Sequence, residues 1–168
     1  MTTIYTTSYD SPLGLIHLAS DEQGLIGLWF KGQKYDQDLP PGFVLTANDR
    51  LEAFRQANRW LNIYFSGREP DFTPALSMIG TDFQLEVWRA LLDIPYGQLA
   101  SYREIACRVG NPGALRATAH AISRNRISII IPCHRVISSN YKLTGYAGGI
   151  ERKRALLRLE HSLDLIDD

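Results

Sequence analysis

Three consecutive side chains, Cys133, His134 and Arg135, set a thiol, an imidazole and a guanidinium after the apolar run in "IIIPCHRVI", residues 129–137. Sulfur attacks as the thiolate, and a protonated imidazole or a guanidinium beside it lowers the thiol pKa. The trio therefore suits nucleophilic chemistry at Cys133. Cysteine is also among the residues most often buried, so a packing role stands beside the catalytic one. The other cysteine, Cys107, lies between Ala106 and Arg108 in a helical pattern and reads as packing. Two cysteines without Cys-x-x-Cys spacing assemble neither a disulfide framework nor a four-cysteine zinc site, so Cys133 is expected to be a free thiol.

A carboxylate belongs with these groups. In "IERKRALLRLEHSL", Glu160 lies three and four positions after Leu157 and Leu156 and three before Leu163, on the apolar stripe of a C-terminal helix. A buried carboxylate is costly unless paired, and a histidine is the expected partner. A carboxylate orienting an imidazole that deprotonates a cysteine follows the logic of a catalytic triad. That logic serves a cysteine hydrolase as well as a protein that accepts an alkyl group, and a surface-facing Glu160 is the alternative.

The elements that must position these residues are marked along the chain. Ile4–Tyr9, Leu13–Ala19 and Leu25–Phe30 alternate like strands and are broken by Ser11-Pro12 and Asp21-Glu22-Gln23-Gly24, the pattern of a β-meander. Leu51, Phe54, Leu61, Tyr64 and Phe65 recur at helical spacing up to Gly67. A proline-flanked connector then leads to a boundary near residue 80, giving domains 1–80 and 81–168. Beyond it, Thr81-x-x-Gln84 and Ser101-x-x-Glu104 fit the capping box that opens a helix. The second of these helices should stop at Gly110, and Asn111-Pro112 should then cap and open a third, running to about Asn125. Helix, short turn, helix is the spacing of a helix-turn-helix, which is also common in helical proteins that bind no DNA. The third helix is rich in Ala114, Ala117, Thr118, Ala119, Ala121 and Ser123, which permit close approach either to the protein core or to a nucleic-acid groove. Leu115/Ala119/Ile122 and Ala114/Ala117/Thr118/Ala121 are both candidate core stripes. Arg116 is the one long charged side chain in its first two turns. Ile127–Ile131 reads as a buried strand ended by Pro132, with Cys133 at its tip.

Composition sets the class. The chain has 168 residues, 45% of them hydrophobic and 21% charged, which is ordinary globular usage. No signal-peptide pattern or membrane-length apolar run occurs, so a cytoplasmic location is expected. The formal net charge of +0 conceals a difference between halves: residues 1–80 carry 6 Lys plus Arg against 9 Asp plus Glu, and residues 81–168 carry 12 against 9. Within residues 101–135 stand six arginines, no lysine and a single acid, Glu104. Arginine clusters suit phosphate, although a solvated helix face has the same composition.

The motifs Gly80-Thr81-x-Phe83-Gln84-x-x-Val87-Trp88, Ile94-Pro95-Tyr96-Gly97, Ser101-Tyr102-x-x-Ile105-Ala106, Arg116-Ala117, Asn125, Ile131-Pro132-Cys133-His134-Arg135-Val136, Gly145-Tyr146-Ala147-Gly148-Gly149 and Leu156-Leu157-x-Leu159-Glu160 occur in that order. Together they resemble the O6-alkylguanine-DNA alkyltransferases, the methylated-DNA–protein-cysteine methyltransferases. The resemblance implies an α/β (α+β) protein with an N-terminal ribonuclease-H-like β-sheet domain and a mainly helical C-terminal domain carrying a helix-turn-helix. It implies a single-turnover DNA-repair methyltransferase, a monomer without cofactor, acting on double-stranded DNA from the minor-groove side. Cys133 would take the alkyl group from guanine O6 or, less efficiently, thymine O4. His134 would activate it through a bound water, Glu160 would orient His134, and Asn125 would tie the active-site strand to the groove helix. Tyr102 would help rotate the nucleotide out and protonate the leaving base, and Arg116 would fill the gap in the stack. Ala114, Ala119, Ser123 and Arg135 would join Arg116 and Tyr102 against DNA. Val136, Tyr146, Ala147 and Gly148 would line the alkyl-base pocket.

The chain departs from the family pattern at Thr118-Ala119, at Arg126 and at Asn140-Tyr141, which replaces a frequent glycine turn. Ala147 lacks a hydroxyl for O6, leaving a backbone amide as donor. The zinc ligands of some relatives come from N-terminal Cys and His, and no cysteine precedes Cys107 here, so no metal is expected. His17, His120 and His161 read as surface or packing residues.

Overall fold

The structure, a computed structural model, describes residues 2–166. The chain divides after Ile79 into two units.

In the first unit, β1 (Thr2–Ser11), β2 (Gly14–Ser20) and β3 (Leu25–Phe30) form the expected antiparallel meander. The first turn closes with Gly14 at φ 115°, and Ser11 Oγ donates to the Gly14 carbonyl at 2.6 Å. The second is held by Asp21, whose carboxylate accepts from the amides of Gln23 (2.8 Å) and Gly24 (3.0 Å). A fourth strand, β4 (Phe43–Ala47), went unread in the sequence: it pairs parallel to β1, giving the order β3-β2-β1-β4. Its polar flanks and short length leave no alternation to find. Strand β3 lies at the sheet edge yet is buried throughout. Residues 75–77 cover it, with Leu25 accepting from Ser77 and donating to Ala75 at 2.7 and 2.8 Å. This bridge takes the start of the edge, at Leu25, out of intermolecular pairing. Helix α1 (Glu52–Phe65) buries Phe54, Ala57, Trp60, Leu61 and Tyr64, a stripe at helical spacing.

In the second unit, α2 (Asp82–Leu92) opens with a complete capping box between Thr81 and Gln84, and its Trp88 indole donates to the Ala121 carbonyl at 2.9 Å. Residues Ala100–Ser101 form β5, and α3 (Tyr102–Arg108) follows at once, with Ser101 Oγ accepting from the Glu104 amide. Helix α4 (Leu115–Ser123) starts later than Asn111-Pro112 suggests. The amides of Gly110, at φ 79°, and Asn111 close the end of α3 on the Cys107 and Ala106 carbonyls; the Asn111 carbonyl then accepts from Ala114 at 3.0 Å in a separate turn, and the first bond of α4 runs from Thr118 to the Ala114 carbonyl at 2.9 Å, so Ala114 and not Asn111 caps the helix. The core stripe of α4 is Thr118, Ala121 and Ile122, which matches neither expected set whole. Thr118 is fully buried, so that departure from the family pattern belongs to the core and not to a groove surface.

Residues 127–131 are not a strand. They form a tight buried turn in which Ile131 donates to the Ile127 carbonyl at 3.0 Å and Ile129 takes φ 71°. Only Ile127 makes a single bridge; the turn's own bonds and the Asn125 side chain satisfy the rest of this backbone as far as Ile131. A β-branched residue in the left-handed region is strained and persists only where its surroundings over-determine it. After Pro132 a 3-10 turn, Cys133–Arg135, leads into β6 (Val136–Ile137), which pairs parallel with β5 as Ala100 with Val136 and Ser101 with Ile137. Helix α5 (Ile150–Leu159) closes the unit.

Candidate active site

Short-range geometry builds the site around the 3-10 turn. The Asn125 side chain spans the preceding bend: its Nδ2 donates to the carbonyls of Ile131 (2.8 Å) and Ile127 (3.4 Å), and its Oδ1 accepts from the Ile127 amide (3.0 Å). One amide thus links the end of α4 to the residues just before Cys133. The short β5–β6 pairing brings the start of α3, and with it Tyr102, to the same place.

The turn points Cys133, His134 and Arg135 inward, all of them buried. Glu160, at the C-terminal end of α5, accepts from His134 Nε2 at 2.6 Å, from Arg135 Nε at 2.7 Å and from Arg135 Nη2 at 3.2 Å. Arg135 Nη1 donates to the Ile94 carbonyl at 2.7 Å, and its guanidinium lies 5.7 Å from the Tyr96 ring centre. The buried reading of Glu160 holds, and the expected assignment of Arg135 to DNA is replaced. Its guanidinium is committed to Glu160 and Ile94, so it is an internal clamp.

Protonation follows from these bonds. Burial opposes the charged form of Glu160, yet its ion pair with His134 and Arg135 and their hydrogen bonds hold its carboxyl well below the usual range. Burial pushes the His134 pKa down, against the pull of Glu160. Neutral His134 beside an ionised Glu160 must carry its hydrogen on Nε2, because a carboxylate only accepts. Nδ1 is then a lone-pair acceptor, and it is buried without a hydrogen-bond partner.

The thiol itself differs from expectation. Burial pushes the Cys133 pKa up, and a hydrogen bond from Asn125 and the charge of Lys153 only partly oppose it. Arg135 does not activate the sulfur, because it faces Glu160. The resting group is a thiol that needs a base at hand.

Tyr102 and Tyr146 complete the surroundings. Burial, assisted by the nearby Cys133, raises both phenol pKa values, that of Tyr146 strongly. Tyr146 Oη is buried next to Ser128 without a hydrogen bond of normal geometry. Val136 and Gly148 are buried and Ala147 half-buried. On α4, Arg116, Ala117 and His120 are exposed, while Ala114, Ala119 and Ser123 are half-buried.

Lys153 was missed in the sequence. It is fully buried on α5, and its Nζ donates to the carbonyls of Val136 (2.6 Å) and Thr144 (3.3 Å). Burial lowers its pKa to about 8, with Cys133 opposing. Its position three residues before Leu156 was the available signal, hidden by the charged neighbours Arg152 and Arg154. Among the described residues, no group of three His, Cys, Asp or Glu side chains stands ready to hold a metal ion. No helix among them is long and apolar enough to cross a membrane.

Comparison with known proteins agrees with this arrangement. Residues 4–78 match the family described as 6-O-methylguanine DNA methyltransferase, ribonuclease-like domain, and residues 82–162 match its DNA binding domain. A methylated-DNA–protein-cysteine methyltransferase of Methanosarcina acetivorans is 46% identical over 95% of this chain and 99% of its own length. The protein of that name from Mycobacterium tuberculosis is 48% identical over 95% of this chain and 93% of its own. The crystal structure of M. tuberculosis OGT in complex with DNA superposes with a TM-score of 0.85 at 47% identity, covering 95% of this chain and 94% of that one. With both halves matched, an α+β architecture in common and a buried Cys133-His134-Glu160 constellation, the chain belongs to the methylated-DNA–protein-cysteine methyltransferase family.

Proposed function

We propose that this protein repairs alkylated DNA by moving the alkyl group from guanine O6, and less efficiently from thymine O4, to Cys133 in one irreversible step. The observation that carries the reading is the orientation of His134. Its Nε2 hydrogen is committed to Glu160, which leaves the Nδ1 lone pair as the base for a thiol that burial keeps protonated. Through a bound water, Nδ1 takes the thiol proton. The Sγ electron pair attacks the alkyl carbon in line as the carbon–O6 bond breaks, and that bond's electrons pass to the purine. Tyr102 protonates the departing base, and the proton on His134 later restores the phenol, so the thiol hydrogen ends on guanine. Alkyl–sulfur is a thioether with no hydrolytic exit, which limits each chain to one transfer.

A carbon on a paired base lies out of reach of a buried sulfur, so the nucleotide must leave the stack. The family membership and the exposed Arg116 on a helix rich in small residues support entry from the minor groove, with Arg116 filling the vacated space. Ala114, Ala119 and Ser123 would flank it, and Tyr146, Val136, Ala147 and Gly148 would receive the base. We assign residues 1–80 to a sheet domain and 81–168 to the DNA-binding and reactive domain, acting as a monomer.

Incubation with an O6-methylguanine duplex carrying a labelled methyl group tests the reading. One label per chain, found on Cys133 by mass spectrometry, is expected, with none transferred by Cys133→Ser although that variant still binds the duplex. Many turnovers per chain would identify a hydrolase, and label on Cys107 would refute the assignment of the nucleophile.

A further inference from the structure

Residues 142–146 run between the turn at 138–141 and α5 without regular secondary structure, yet they carry Thr144 to the edge of the site. Thr144 Oγ1 donates to Tyr102 Oη at 3.2 Å. Its own carbonyl is held by Lys153 Nζ at 3.3 Å, and that same ammonium is bonded to the Val136 carbonyl at 2.6 Å. A fully buried lysine therefore pins the backbone of residue 144 to β6, and β6 is paired to the strand that ends where Tyr102 begins. Keeping an ammonium without solvent is costly, and its return here is the fixed position of two carbonyls.

We infer that Thr144 is a positioning residue for Tyr102: with Lys153 holding its backbone, its hydroxyl donates to the Tyr102 phenol oxygen, so the phenol's own hydrogen is directed to the departing base. A hydroxyl group has one hydrogen to give and accepts through its lone pairs. With Oη accepting from Thr144, the Tyr102 O–H is free for a base atom. When that proton has moved, the phenolate left behind keeps the Thr144 hydrogen bond, and bonds to charged groups are stronger than neutral ones. The same bond lowers the Tyr102 pKa against the burial and the Cys133 charge that raise it. Thr144 thus assists most in the state where the proton has left.

The inference rests on the reading of Tyr102 as proton donor, and the experiment separates the two. Single-turnover transfer from an O6-methylguanine duplex is measured for wild type, Tyr102→Phe, Thr144→Val, Thr144→Ser and the Tyr102→Phe/Thr144→Val double variant. Losing a hydrogen bond to a developing charge slows the step by roughly tenfold or more. Thr144→Val should show that loss, Thr144→Ser should recover most of the rate, and the double variant should be no slower than Tyr102→Phe alone. In carbon-13 NMR of ring-labelled tyrosine, the Tyr102 signal should titrate at higher pH in Thr144→Val than in wild type. Equal slowing by Thr144→Val with and without the Tyr102 hydroxyl, or an unchanged Tyr102 titration, overturns the inference. Tyr102→Phe reacting at the wild-type rate overturns the donor role of Tyr102 itself, and that variant alone reveals it.

Discussion

Glu160 binds an imidazole and a guanidinium with one carboxylate, and this shared grip makes the site sensitive to acid. The folded His134 takes up a proton less readily than an unfolded histidine, whose pKa is 6.5, and the folded Glu160 less readily than an unfolded glutamate at 4.5. In both cases the unfolded chain binds protons that the folded one refuses, so stability falls as pH drops through these values. Urea denaturation should give a stability that is lost from about pH 6.5 downward and more steeply below 4.5. Removing one member of a buried pair costs about 3–5 kcal/mol, so Glu160→Gln should be weaker by that order at pH 7. The deficit should narrow as pH falls below 4.5, where the unfolded wild-type chain takes up a proton that the folded carboxylate refuses; a deficit still unchanged at pH 3 would mean that the charge of Glu160 contributes nothing. The partnership of His134 with Glu160 was legible because a carboxylate on an apolar helix stripe demands a partner. The share taken by Arg135 was not: an arginine beside a cysteine reads equally well as an activator, a phosphate contact or an internal clamp, and only the direction of the side chain distinguishes them.

Helix α4 presents Arg116 and Ala117 outward while Thr118, Ala121 and Ile122 face the core. Expelling a nucleotide from a duplex costs a few kcal/mol of stacking and pairing, and a free base incurs no such cost. Arg116→Ala should therefore slow transfer from duplex O6-methylguanine by tenfold or more and leave the rate with free O6-benzylguanine nearly unchanged. Equal losses on both substrates would make Arg116 a structural residue. Among the elements, the starts of α2 and α3 were readable, because a capping box acts within four residues, whereas Asn111-Pro112 misplaced that of α4. The bend at 127–131 was not. Its apolar run satisfies the pattern of a buried strand, and what turns it is the Asn125 side chain together with Ile129 at φ 71°. The same limit applies to Tyr141, which at φ 60° occupies a left-handed conformation that glycine adopts without strain.

Within the second unit, α4, the 3-10 turn, β6, the loop at 142–146 and α5 converge on one sulfur. An alkyl group left there adds volume to a site where Cys133 is only 7% exposed, and overpacking costs about 1–3 kcal/mol. The alkylated protein should therefore melt below the free protein, with a larger deficit for benzyl than for methyl. Thermal melts of samples shown by mass spectrometry to carry one adduct at Cys133 check this, and a melting temperature equal to or above that of the free protein would reveal spare room around the sulfur.

From the sequence alone came the residues able to react, the family, the starts of α2 and α3 and the antiparallel meander, because each depends on residue types or on patterns within a few positions. Tertiary structure decided the state and aim of those residues. Whether the Cys133 thiol is lowered by cations or raised by burial, where the guanidinium of Arg135 points, and why a lysine three residues before a leucine is sealed inside all depend on partners distant in the sequence, as far as 17 positions for Lys153 with Val136 and 41 for Arg135 with Ile94. Desolvation and hydrogen-bond direction are properties of the assembled surroundings, and those exist only once α5, β6 and the loops around them have packed.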